Sequence, residues 1–147
     1  MSAGATPAAV PADAAPPLAR RLASMTYEAI LLFAVAFLAT WVFQFAAGTL
    51  EIGGWRRHLL QLFVLAVFAV YFLWCWLRGG QTLAMKTWRI RVVARGDHGP
   101  LSPEVALKRF ACAVVCVPTG ISLLSVAFDR DRQFLHDRLA GSLLIPA

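Results

Sequence analysis

The sequence predicts an all-α integral membrane protein: two transmembrane helices as an antiparallel hairpin, a third helical segment broken by proline that either spans or re-enters, and a small cytoplasmic β-hairpin. Three observations carry this. Hydrophobic residues fill 59% of the 147 positions and charged residues 15%, whereas a soluble domain carries about 25% charged residues. Two apolar runs are each long enough to cross the roughly 30 Å hydrocarbon core as a helix. The basic residues behind the net charge of +6 cluster beside those runs, where they set orientation and meet lipid headgroups; nucleic acid is not an expected partner.

Residues 1–18 are rich in Ala and Pro with one charge. They cannot build a core or sustain a helix through their prolines, and are expected to be a disordered tail. Residues 19–147 then form one membrane domain, too short to hold a separate enzyme domain. No basic start runs directly into an apolar stretch, so the first span is expected to be retained and not cleaved.

The first span, about residues 22–47, comes after Arg20 and Arg21 and carries one carboxylate, Glu28. At 1.5 Å per residue Glu28 lies about 10 Å beyond Arg21, a depth at which an ionisable group needs a partner. Seven residues apart, the two fall on nearly one helical face. They either neutralise each other or jointly await a third group.

GTLEIGG, residues 48–54, is a short turn, and Trp55, Arg56, Arg57 and His58 mark a membrane interface. The second span, about 57–77, is closed by Tyr71, Trp74, Trp76 and Arg78, an aromatic belt and a basic stop. Short connections join antiparallel neighbours, which gives the hairpin.

The loop 78–104 changes character. It and the start of the next helix hold Arg78, Lys86, Arg89, Arg91, Arg95, Lys108 and Arg109 against Asp97 and Glu104, and such basic flanks stay in the cytoplasm. The amino terminus is then cytoplasmic too. Trp88, Ile90 and Val92 alternate with Arg89, Arg91 and Val93, the period of a strand, and GDHGP offers a turn. A basic hairpin results, with Arg89, Arg91 and Arg95 placed to meet lipid phosphates or an acidic partner.

Ser102, Pro103 and Glu104 form a helix start with a serine cap and proline in the first turn. The third segment, about 105–128, is broken at Pro118, Thr119 and Gly120. It crosses as a kinked helix, or folds back and returns the tail 129–147 to the cytoplasm. Arg130, Arg132 and Arg138 favour the second. Cys75, Cys112 and Cys116 lie in apolar runs and read as small core residues; no metal site and no cofactor are expected. Ser24, Ser122 and Ser125 lie in expected helices with no histidine at a predictable distance, so no enzyme is expected.

Three blocks together resemble the RDD family of bacterial membrane proteins: ARRLA before the first span with a carboxylate seven residues after Arg21, GGQTLAMKTWRIRVV from Gly79 to Val93, and FLHDRLAGSLLI from Phe134 to Ile145. The resemblance implies a bacterial inner-membrane, multi-pass protein and a signature trio of Arg21, Glu28 and Asp137, with Arg20, His136 and Lys86 as possible support. Two departures stand out. Glu28 replaces the family's first aspartate, and Ala84 stands where glycine is usual, which puts a tight turn there in doubt.

One positive and two negative groups near one membrane face suit a monovalent cation or a proton: converging carboxylates raise each other's proton affinity, while the arginine holds one ionised. A small cation/proton exchanger subunit, working as a homo-oligomer because two spans cannot line a path, is one expectation. The alternative is a membrane scaffold whose charges hold the fold and whose basic hairpin binds lipid or a partner.

Overall fold

The computed structural model describes residues 16–48, 53–96, 98–121 and 135–147. Most of the expected disordered tail, the middle of the 48–54 turn, Asp97, and residues 122–128 of the proline-broken segment with the first part of the 129–147 tail lie outside the described residues.

Helix α1, Leu18–Ala47, starts after Pro17 and ends at Gly48, whose φ of 65° is left-handed. Helix α2, Trp55–Gly79, begins after Gly54 and ends on Gly80, also left-handed. Both helices are long and apolar enough to cross a membrane, and only 6% of the apolar stretch of each is buried. A core helix of a soluble protein buries its apolar face; here Phe33, Phe37, Trp41, Phe45 and Leu62 are 76%, 59%, 65%, 85% and 62% exposed, which in water would be an adhesive surface. The rings of Phe43 and Phe63 lie 5.7 Å apart, while Glu28 meets Tyr71. Positions that rise along α1 fall along α2, so the pair is antiparallel.

A compact knob is built on the far end of α2. It comprises α3, Leu83–Thr87; β1, Ile90–Ala94; α4, Pro103–Cys116; α5, Leu135–Ala140; and β2, Ser142–Pro146. Trp76, Ile90, Val92, Leu101, Phe110 and Leu144 form its core. Gly80 makes the close approach possible: a Cβ there would lie 2.5 Å from the Val92 carbonyl oxygen, and the Val92 N–H donates to the Gly80 carbonyl at 2.7 Å. The first strand is thereby fastened to the end of α2.

The small sheet is present but is not the local hairpin that GDHGP suggested. β1 pairs antiparallel with β2 from the far end of the chain, Ile90 opposite Pro146 and Ala94 opposite Ser142. The backbone after β1 bonds to itself, Ala94 N–H to Gly99 and His98 N–H to Ala94, and Leu101 then turns into the core before Ser102 caps α4. The residues after this turn are committed to a helix, and the apolar run SLLIP supplies the strand. Arg95 N–H to Gly141 at 3.0 Å and Ala147 N–H to Arg89 at 2.9 Å extend the ladder at both ends.

The helix start expected at Ser102 is present: its Oγ accepts from the Val105 N–H at 3.4 Å. Helix α4 stops at Cys116, two residues before Pro118, and its cap, Val117, keeps right-handed helical angles (φ −73°, ψ −50°) with its N–H on the Ala113 carbonyl. The Thr119 hydroxyl donates to the Val115 and Cys116 carbonyls. Ala84 forms no turn. It sits fully buried inside α3, a short helix capped by Thr82, where alanine is the better residue.

Candidate functional site

Along α1 the residues buried near the amino-terminal end are Arg21, Ser24 and Glu28. Their spacing of three and four places them on one face, and that face turns toward α2 and α3. Glu28 accepts hydrogen bonds on both carboxylate oxygens: from the Tyr71 hydroxyl at 2.9 Å and from the Thr82 hydroxyl. Thr82 has a double task. Its Oγ1 also accepts from the Met85 N–H at 3.3 Å, capping α3, so the short helix and the carboxylate share one hydroxyl.

A second buried cluster lies at the same end of the helix pair. Arg109 of α4 forms an ion pair with Asp137 of α5, donates to Ser142 Oγ at 2.9 Å, and lies 4.7 Å over the Trp76 ring. Ser142 donates in turn to the Asp137 carbonyl at 3.2 Å. His136 Nε2 is 3.4 Å from Asp137 Oδ1. Burial pushes the His136 pKa down; the Asp137 charge pulls it partly back and the Arg109 charge pushes it further down. Burial thus favours the neutral ring. Four elements meet through these side chains.

Between α1, α2 and α4 lies a cavity of about 390 Å³ whose wall includes Arg21, Glu28, Arg109 and His136. Of the residues singled out from the sequence, Arg21, Glu28 and His136 thus share one space. Asp137 is fully buried, is not among the wall residues, and is tied to Arg109. Arg20, Lys86, Arg89, Arg91 and Arg95 are exposed. The sequence does not single out Arg109, Thr82 or Ser142. Arg109 looks like one more basic flank, and its only sequence signal is that FACAVV comes directly after it. Thr82 is visible only as a cap for a helix of five residues.

The RDD family model matches residues 15–141. The chain belongs to the RDD family. An uncharacterized protein of Rickettsia prowazekii (strain Madrid E) is 29% identical over 103 residues, which cover 65% of this chain and 57% of that protein; the chain spans little more than half the length of that curated relative. No solved structure matches. Arg21, Glu28 and Asp137, the trio that the resemblance led one to expect, are all buried at one end of the helix pair. Glu28 and Asp137 are held there by separate sets of neighbours.

Proposed function

We propose that this RDD protein is a monovalent cation/proton exchanger subunit of the bacterial cytoplasmic membrane, with Glu28 as the group that alternates between a proton and a cation. The observation that carries the reading is the setting of Glu28: a carboxylate on a membrane-length helix, in the wall of a cavity, with both oxygens against neutral hydroxyls. Hard cations take oxygen ligands, and Glu28, Tyr71 and Thr82 offer four oxygens in one place. An ionisable group inside a membrane span is costly unless it serves a pathway or a partner. A proton that leaves Glu28 as the cation arrives keeps the charge of the site constant, which makes exchange, and not net uptake, the natural cycle. Arg21 on the same wall adds a fixed positive charge that favours the ionised carboxylate.

Asp137 supports the other reading. Its ties to Arg109 link α4 to α5, and the Ser142 bonds bring in β2, so these charges hold the carboxy-terminal end onto the knob. Together with the exposed Arg89, Arg91 and Arg95, this favours a scaffold whose basic surface meets lipid headgroups or an acidic partner. Both readings keep the amino terminus and the knob on the cytoplasmic side. A path through the membrane requires a homo-oligomer, since two spans cannot enclose one.

Flux of sodium, potassium and protons in proteoliposomes decides between them, with wild type compared with Glu28→Gln. Exchange predicts wild-type flux that the variant abolishes while it stays folded. Absence of flux of any monovalent cation or proton in the wild type leaves the scaffold.

A further inference from the structure

The outward side of α2 carries a feature that neither reading uses. Phe63, Val70, Trp74 and Leu77 are 36%, 67%, 57% and 39% exposed, and their spacings of seven, four and three place them on one face of the helix. That face is apolar along its length and ends at two cations. Arg78, one turn beyond Trp74, lays its guanidinium 3.8 Å over the Trp74 ring. Lys86, exposed on α3, stands within electrostatic reach of Cys75, the residue that follows Trp74. Glu28 acts on the same thiol, but from the buried side, 9% exposed and already accepting two hydroxyl hydrogen bonds. Among the described residues, neither Arg78 nor Lys86 pairs with a carboxylate.

We propose that this face of α2 holds one anionic phospholipid, its phosphate between Arg78 and Lys86 and an acyl chain along Trp74, Val70 and Phe63. Tryptophan and arginine at the end of a span lie at the headgroup level, so the cations stand where the phosphates of a bilayer are. The Trp74 ring takes only the flat face of the guanidinium; its N–H groups lie in the plane and stay free for two oxygens of a phosphate. Lys86 adds a point charge. From Trp74 to Phe63 the helix covers about 16 Å at 1.5 Å per residue, about one leaflet of a roughly 30 Å core. A second copy is the other occupant that an exposed apolar face invites. Two parallel copies related by a two-fold axis would set this face against itself, Arg78 against Arg78, and the like charges oppose that contact. A zwitterionic lipid brings its own cation beside the phosphate, so the site selects for net negative charge. Lipid is held here whether or not Glu28 exchanges ions.

Native mass spectrometry of the full-length protein released from detergent tests it, with phosphatidylglycerol and phosphatidylcholine of the same acyl chains as separate probes. Wild type is expected to retain one phosphatidylglycerol per chain, saturably, and to hold phosphatidylcholine far more weakly. Arg78→Gln combined with Lys86→Gln is expected to weaken phosphatidylglycerol retention by about tenfold or more, equivalent to about 1.4 kcal/mol. Arg91→Gln combined with Lys108→Gln removes the same charge from exposed positions on the knob and is expected to leave retention unchanged. Equal retention of the two lipids, or a dimer that retains neither, overturns the proposal. So does a folded Arg78→Gln, Lys86→Gln protein that binds phosphatidylglycerol like wild type, or an equal loss in the charge-matched variant. Should the first variant not fold, the comparison of the two lipids on the wild type decides alone.

Discussion

The helix pair and the knob it carries are stabilised in opposite ways. Across α1 and α2 few side chains are buried, Ala39 and Trp76 among them, and most of the large apolar ones face outward. In the knob, apolar core residues surround charged ones: Arg109 is 2% exposed and Asp137 0%. The first region relies on the surrounding bilayer to cover it. The second relies on side chains that lie far apart in the chain and find one another on folding, and an error there leaves a charge without water or partner.

The sharpest way to break this contrast is Arg109→Leu. Removal of one member of a buried ion pair costs about 3–5 kcal/mol, because the other charge stays buried. Thermal unfolding in detergent should show the knob lost, and Arg109→Leu with Asp137→Leu should recover part of the loss, since no charge is then stranded. A double variant as unstable as the single one would mean that hydrogen bonds from Arg109, and not charge balance, hold the carboxy-terminal end.

The glycine caps sharpen the same comparison. Gly48 and Gly80 end their helices at the same φ of 65°, but a Cβ at Gly48 meets nothing within 4 Å whereas one at Gly80 meets the Val92 carbonyl oxygen at 2.5 Å. Gly48→Ala should cost about 1 kcal/mol for the left-handed backbone alone. Gly80→Ala should cost about 2–3 kcal/mol, since it must also push β1 away from α2. Equal losses would show that the strand yields freely at that point.

Legibility in the sequence divides along the same line. The spans, the Ser102 cap and the stop before Pro118 are local signals, written in runs of neighbours, and α1, α2 and α4 begin within about four residues of the expected positions. Arg21 and Glu28 are legible for the same reason, a spacing of seven on one helix. The β1–β2 pairing is not legible. Ile90 to Val93 announce a strand, but nothing nearby in sequence says that Ser142 to Pro146 is its partner. Arg109 stays hidden because a basic residue beside an apolar run ordinarily marks an interface, and only the return of Asp137 makes it a buried ion pair.

Acid should loosen the knob before it affects the helix pair. The His136 pKa is lowered by burial, so below the unfolded value of about 6.5 the unfolded chain binds a proton that the folded one resists. Stability is full above about pH 6.5 and falls as the pH drops further, toward the lowered folded value. Tm measured in detergent across this window should decline in the wild type and decline less in His136→Gln. Equal slopes would place the titrating group elsewhere.

The smallest effect is expected on the outer face of α1. Phe37 is 59% exposed, and in a bilayer its ring exchanges one apolar neighbour for another, because lipid tails are as apolar as the side chains they meet. Phe37→Ala should change stability by no more than about 0.5 kcal/mol, the range of substitutions away from packed features. A loss of about 2 kcal/mol or more, the range for large-to-small changes at packed sites, would mean that protein covers this ring in the membrane. The helix pair would then owe its stability to a neighbouring copy in place of lipid, and the homo-oligomer that exchange requires would have its contact on α1.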